Sequence, residues 1–314
     1  MAPTPSAAAS RALQAGAPPT SLEEAYRACE RLAKTHYENF PVASWLLPLE
    51  ERRAFCAVYA FCRGVDDLGD EAATERRLAL LDRWEEETRA AFQGTSSHPT
   101  FVALGDVIAR YDLEAEPFLK LIEANRMDQR RSRYATYADL LYYCDHSANP
   151  VGRIVLALYD LRDSRRGKLS DAVCTALQLA NFWQDVREDS SRRGRIYIPE
   201  EDMRHFGVRE EAIARGEADE RFAALMRFEV ERARMLFDEG EPLVAEVPPS
   251  LSGEVRLFLR GGRAVLRAIE RARYDVLRAR PAVPRWRKIF WVAALWGRRR
   301  FLPGGFLANP RVSS

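Results

Sequence analysis

The sequence predicts an all-α protein, and three observations carry that expectation. Apolar residues recur at three- and four-residue intervals along most of the chain. Helix-start chemistry precedes these runs: Ser21-Leu22-Glu23-Glu24 is a capping box, and Pro48 suits the first turn of the helix after it. Strand signals are almost absent, with no hairpin dipeptide between alternating runs and no repeat at domain-building periods. The 314 residues, 47% apolar and 30% charged, are enough to bury a sizeable core.

Taken in order, the first helix starts at the capping box and puts Leu22, Ala25, Cys29, Leu32 and Ala33 on one side. An irregular segment covers 36–48. Pro48 opens a helix that runs to about Asp70. Residues 75–92 are amphipathic, with Leu81, Trp84, Thr88 and Ala91 inward, and 94–99 form a loop. A helical pair spans 101–111 and 116–127. The apolar segment 137–159 is interrupted at Asn149-Pro150, where proline must kink or break it. Helices over 171–189, 219–246 and 251–280 complete the chain. No linker interrupts this run, so the expected organisation is a tail over 1–19, one all-α domain over 20–284 and a basic-aromatic segment over 285–314.

Bulk properties narrow the function. A net charge of +2 favours neither nucleic acid nor a strongly acidic partner. The five cysteines form no CxxC pair and sit in apolar helical contexts, which suits buried free thiols in a reducing, cytoplasmic compartment. None of the four histidines pairs with another at ligand spacing. Residues 1–19 lack the apolar centre of a secretory signal and read as disordered, and no run of 18 apolar residues spans a bilayer.

Two acidic clusters stand out. The first is Arg63-Gly64-Val65-Asp66-Asp67-Leu68-Gly69-Asp70-Glu71, with residues 63, 66, 67 and 70 at same-face helical spacing. The second is Asn181-Phe182-Trp183-Gln184-Asp185-Val186-Arg187-Glu188-Asp189, where 178, 181, 185, 188 and 189 share a face. Each ends an otherwise apolar segment, and carboxylates are costly to bury unpaired. Either cluster alone reads equally well as a solvated helix end. Together they suit Mg²⁺, a hard cation bound through a few carboxylates plus substrate phosphate oxygens.

The ordered set of motifs resembles the squalene/phytoene synthase family. The matching strings are Tyr59-Ala60-Phe61-Cys62-Arg63 leading into Asp66–Glu71, Tyr143-Cys144 with Val151-Gly152, Leu177-Gln178-Leu179-Ala180-Asn181 leading into Asp185–Asp189, and Gly194-Arg195-Ile196-Tyr197-Ile198-Pro199. They cover about 25–285. The resemblance implies a single-domain isoprenoid synthase fold with a central active-site cavity, a prenyl diphosphate substrate and Mg²⁺. Three further strings resemble the hydroxysqualene synthase branch, which ionises presqualene diphosphate and quenches the rearranged cation with water. They are His36-Tyr37-Glu38-Asn39-Phe40-Pro41-Val42-Ala43-Ser44, Glu123-Ala124-Asn125 and Ser147-Ala148-Asn149-Pro150-Val151-Gly152-Arg153. Members that condense two prenyl diphosphates commonly carry a Ser-rich or Lys-containing segment after the His, and Arg just before the second acidic motif. Here those positions hold Tyr37, Glu38, Asn39 and Gln184, and fewer cationic contacts suit one diphosphate rather than two.

The resemblance implies Asp66, Asp70, Asp185 and Asp189 as the main metal ligands, with Asp67 and Glu188 as supporting or alternating ones. Arg63 has two roles open on spacing alone: a reach to diphosphate oxygen, or an ion pair with Asp67 or Asp70. Arg195 and Tyr197 sit in a loop implied to close over the diphosphate, although Arg192, Arg193 and Arg195 also read as a solvated turn. Arg280 matches a position facing the diphosphate, or else stabilises a helix C-terminus. His36 either bonds the diphosphate or fixes Tyr143, against the plain alternative of a structural histidine. Tyr59, Phe40 and Tyr143 are implied to line a prenyl tunnel where aromatic faces stabilise a carbocation. Phe182 and Trp183 read better as core. Gln178, Asn181 and Asn149 are candidates to orient water or diphosphate.

Segment 285–301 has a short apolar, Trp-containing centre between basic flanks. It either lies on the inner face of the plasma membrane as a peripheral contact or docks on the domain. Other enzymes of the squalene pathway are the implied partners. The competing functions are presqualene diphosphate synthase, squalene or phytoene synthase condensing two prenyl diphosphates, and a non-catalytic scaffold of the pathway. A scaffold has no use for six aligned carboxyls. No dinucleotide-binding glycine motif gives a reductive squalene synthase positive support.

Overall fold

The computed structural model describes residues 19, 21–35 and 48–282. The expectations placed on 1–18, His36, Phe40 and 285–314 lie outside the described residues. Among the described residues every regular element is helical, and no helix is long and apolar enough to cross a membrane. The described residues gather into two compact units, one within 19–130 together with 154–161, the other 131–153 together with 162–282.

The first unit holds α1 (Leu22–Thr35), α2 (Leu49–Asp66), α3 (Arg77–Phe92), α4 (Pro99–Tyr111) and α5 (Glu116–Arg130). The Ser21 hydroxyl accepts the Glu24 amide at 3.2 Å, which starts α1 as the capping box predicts. The apolar stripe of α1 goes inward at Ala25, Tyr26, Cys29 and Ala33, while Leu22 stays exposed. On α3, Leu81, Trp84, Thr88 and Ala91 are buried as the periodicity predicts. Phe61, Trp84, Phe101 and Phe118 form the aromatic centre, with Phe61 edge-on to Phe118 at 5.1 Å and Trp84 to Phe101 at 4.6 Å. One boundary differs from the expectation. The α-helix does not reach Asp70; it gives way after Asp66 to a π turn over Asp67–Glu71. The spacing that put 63, 66, 67 and 70 on one α-helical face is therefore interrupted inside the motif.

The second unit holds α6 (Tyr137–Ser147), the start of α7 (Asn149–Leu158), α8 (Ser164–Glu188), α9 (Glu200–His205), α10 (Glu210–Arg215), α11 (Glu220–Gly240), α12 (Leu243–Glu246) and α13 (Pro249–Arg271). A reciprocal capping box of Thr136 and Asp139 starts α6. The break between α6 and α7 falls where Asn149-Pro150 predicts it. The second acidic helix begins at Ser164 rather than 171, because the Asp163 carboxylate accepts the Arg166 amide at 3.0 Å. The expected helix over 219–246 is split by Pro242. The expected helix over 251–280 ends at Arg271, because Arg273 and Tyr274 take left-handed φ angles of 54° and 63°. Arg280 thus lies in an irregular tail rather than at a helix end.

The core of this unit is Trp183, Phe222, Phe237, Leu225 and Met226. Where α11 meets α8, a Cβ on Gly240 would stand 2.5 Å from Val173, so only glycine allows that approach. The Trp183 indole N–H donates to the Glu229 carbonyl at 3.2 Å. The Glu229 side chain is itself fully buried, 3.6 Å from Arg232, whose guanidinium also holds Asp202 at 2.5 Å. Burial first, and the nearby Asp202 carboxylate against the relief from Arg232, push the Glu229 carboxyl up to about 8. A carboxyl whose folded pKa is raised keeps its proton in the native state after the unfolded chain has ionised. Its contribution to stability therefore declines from the ordinary carboxylate range up to about pH 8, and the full cost is present above that. Glu229→Gln should remove this decline, a relative gain of a few kcal/mol at pH 9 and little at pH 5. Urea denaturation at both pH values measures it; an equal effect at the two would contradict a protonated Glu229.

Candidate active site

Both acidic motifs sit where an α-helix passes into a π turn, Asp67–Glu71 after α2 and Asp189–Arg193 after α8. Such wide turns redirect side chains and recur at functional sites.

In the first unit, the carboxylates of the motif have two kinds of surroundings. Asp67 is buried and ion-paired with Arg63, which also donates to Glu71 at 2.9 Å. The Arg63 guanidinium makes an ion pair that helical spacing offers, with Asp67. Asp66 is reached by solvent but set deep among protein atoms, and its strongest charged influence is another carboxylate. Desolvation first and then Asp70 push the Asp66 carboxyl up to about 7, while a hydrogen bond from Asn125 and the charge of Arg63 oppose the shift. Two like-charged groups held together in a crowded setting form a donor pair suited to a divalent cation. Tyr59, one turn before Arg63, is half-buried, and burial raises its phenol above the usual range.

In the second unit, the three carboxylates each have an arginine. Asp185 is clamped by Arg280, Glu188 pairs with Arg192 at 2.5 Å, and buried Asp189 with Arg193 at 3.3 Å. Asp185 leads the causes that hold the Arg280 guanidinium above its usual range, and Glu188 and Asp189 add to it. Arg280 thus contacts Asp185 and feels the charge of the other two carboxylates. The tail that carries it is strapped along α8: Gln184, buried, donates to the Pro281 carbonyl, and Arg187 donates to that of Arg278 at 2.5 Å. The position that departs from the wider family's arginine serves here to anchor this tail.

The loop after the second motif is buried at Arg195, Ile196, Tyr197 and Ile198, whereas Arg192 and Arg193 are exposed. The solvated-turn alternative therefore applies to the first two arginines only. Backbone bonds fix the loop: the Ile196 amide donates to Ser132 at 3.0 Å and the Glu200 amide to Tyr134 at 2.8 Å. Tyr197 stacks on Phe182 at 3.8 Å with planes 8° apart, and Tyr143 and Tyr134 pack around it at 5.7 Å each. Trp183 is core, with its ring fully buried. Asn149, buried at the start of α7, accepts the Thr175 hydroxyl at 2.9 Å through its side-chain oxygen, which turns its NH₂ the other way. Further along α8, Gln178 is half-buried and Asn181 exposed. Tyr134 and Thr175 belong to these arrangements and carry no sequence signal. Tyr134 lies in an aperiodic connection, and Thr175 makes its contact only once α7 and α8 meet.

The family model for squalene/phytoene synthase matches residues 33–287. The chain belongs to that family. This synthase is 35% identical over 282 residues to the 15-cis-phytoene synthase of Synechococcus elongatus, across 86% of this chain and 91% of the relative. It is 34% identical over 298 residues to the phytoene synthase of Arthrospira platensis, across 90% and 96%. Among solved structures, squalene synthase HpnC from Alicyclobacillus acidocaldarius is 47% identical with a TM-score of 0.78, covering 85% of this chain and 98% of that one. A dehydrosqualene synthase solved with a ligand gives 25% identity and a TM-score of 0.79, covering 89% and 98%. The synthase thus has the isoprenoid synthase fold.

The carboxylates of the synthase fit a metal that is bound only in part by protein. Among the described residues no three His, Cys, Asp or Glu side chains converge into a ready-made cage. Mg²⁺ bound through one or two carboxylates, with waters and diphosphate oxygens completing its shell, needs no such cage. The Asp66–Asp70 pair supplies hard oxygen donors of that kind.

Proposed function

We propose that this enzyme converts presqualene diphosphate and water to hydroxysqualene and diphosphate. The observation that carries the proposal is the 47% identity to squalene synthase HpnC, against 35% to the phytoene synthase of Synechococcus elongatus. The Gln184 anchor supports it, because a site that commits this position to the Pro281 carbonyl has one cation fewer for a second diphosphate.

In this proposal Asp66 and Asp70 of one motif and Asp185 and Asp189 of the other would hold Mg²⁺, with Asp67 and Glu188 in support. When bound, the metal supplies Lewis-acid stabilisation of the leaving diphosphate. The carbon–oxygen bond breaks with its electron pair leaving on diphosphate. The cyclopropylcarbinyl cation rearranges, water oxygen bonds to carbon, and the added water releases one proton. Arg280 turns from Asp185 to diphosphate oxygen, a charge-assisted contact that its guanidinium suits. Tyr59 and Tyr143 offer aromatic faces to the cation. The NH₂ group of Asn149, with Gln178 and Asn181, orients the quenching water.

The phytoene synthase relatives favour a second possibility, condensation of two prenyl diphosphates. Incubation with farnesyl diphosphate and, separately, presqualene diphosphate, with Mg²⁺ and without NADPH, and then product mass spectrometry, separates the two. The proposal expects product from presqualene diphosphate only. Efficient conversion of farnesyl diphosphate alone would favour condensation.

A further inference from the structure

The π turn over Asp67–Glu71 is held by side chains that the proposed chemistry does not use. A π turn carries an extra residue and disturbs the helical hydrogen-bond ladder, so some of its carbonyls need donors from elsewhere. Two residues from other elements supply them. Gln129, near the end of α5, donates through its side-chain NH₂ to the Gly69 carbonyl at 3.1 Å and to its own helix at Asn125 at 3.0 Å. Arg77, the first residue of α3, donates to the Asp70 carbonyl at 2.9 Å and to the Ala72 carbonyl at 2.9 Å. The two struts meet: the third arm of Arg77 donates to the Gln129 side-chain oxygen at 3.3 Å.

The turn is also pressed against α5. A Cβ on Gly69 would lie 2.1 Å from the Asn125 side-chain oxygen, so the close approach needs glycine. Asn125 in turn hydrogen-bonds Asp66. One helix therefore touches the acidic motif on both sides of the wide turn, at the Asp66 carboxyl and at the Gly69 carbonyl. If the turn closed to α-helix, the chain beyond it would rotate by roughly the 100° of one helical residue. Asp70 would then point in a different direction relative to Asp66 from the one the π turn gives it.

We infer that Gln129 and Arg77 are positioning residues for the first metal-binding motif: by satisfying the Gly69, Asp70 and Ala72 carbonyls they keep the π turn open and so set the Asp66–Asp70 pair for a divalent cation. The inference rests on the reading that this pair binds Mg²⁺ with a diphosphate. The donors of both residues go to backbone carbonyls and, from Arg77, to Gln129. They act through the backbone, at carbonyls that a continuous α-helix would otherwise have satisfied.

The test uses the full chain with Gln129→Leu, Arg77→Met and Arg77→Lys. Binding of Mn²⁺ in the presence of inorganic diphosphate is measured by electron paramagnetic resonance, and the half-saturating Mg²⁺ concentration by steady-state kinetics. Gln129→Leu and Arg77→Met should each weaken Mn²⁺ binding and raise half-saturating Mg²⁺ by about tenfold, which is about 1.4 kcal/mol. Arg77→Lys, which keeps one cationic donor for the Asp70 carbonyl, should recover much of the loss. A purely structural role would lower the melting temperature and the active fraction but leave both metal constants at the wild-type value, and that result overturns the inference. Each strut is removed separately, so one folded variant is enough to decide. Wild-type protein that binds no Mn²⁺ with diphosphate would overturn the metal reading itself.

Discussion

Asp185→Asn will lower turnover by at least about 100-fold, equivalent to about 2.7 kcal/mol of transition-state stabilisation. The change keeps the side chain's shape and removes its charge. Asp185 is the carboxylate that Arg280 clamps through both oxygens, and its partner comes from a distant tail, whereas Glu188 and Asp189 pair with arginines of their own π turn. Loss of the charge therefore removes a proposed metal ligand and frees Arg280 at once. Single-turnover kinetics with presqualene diphosphate measure the chemical step directly. Near-normal turnover would take Asp185 out of the catalytic set.

Trp183→Ala will destabilise the fold by about 3–5 kcal/mol, the usual cost of deleting a fully buried large aromatic. Trp183 is fully buried, and its N–H is satisfied by the Glu229 carbonyl at 3.2 Å. It lies on the opposite side of α8 from Asp185, so truncation loosens the packing beneath the second motif. Calorimetry should show the melting temperature falling by on the order of 10 °C. Trp183→Phe keeps most of the packing and loses the hydrogen bond, so it should cost less. A loss below about 1 kcal/mol for the alanine variant would mean that Trp183 is not a core anchor.

Much of the helical order is legible in the sequence because it rests on local signals. Ser21, Pro48 and Pro150 mark starts and breaks by their own chemistry, and the Leu81–Trp84–Thr88–Ala91 stripe buries as written. The departures come from features that local patterns do not encode. A π turn looks like α-helix in sequence, so the Asp66–Asp70 spacing reads as one uninterrupted face when it is not. The early end of α13 depends on left-handed backbone at Arg273 and Tyr274, residues with no sequence preference for it. The acidic motifs themselves are visible at a distance, because costly carboxylates stand out at the end of apolar helices. Their partners are not. Arg280 is 95 residues from Asp185 in sequence and Gln129 is 60 from Gly69, and no spacing rule connects them.

The decisive measurement is the origin of the product oxygen. Presqualene diphosphate should be incubated with the enzyme and Mg²⁺ in water enriched in oxygen-18, and the alcohol analysed by mass spectrometry. Hydroxysqualene carrying one labelled oxygen is expected, because the new carbon–oxygen bond is made to solvent while the original oxygen leaves with diphosphate. Unlabelled hydroxysqualene, or no alcohol from presqualene diphosphate at all, would rule out water quenching as the reaction of this enzyme.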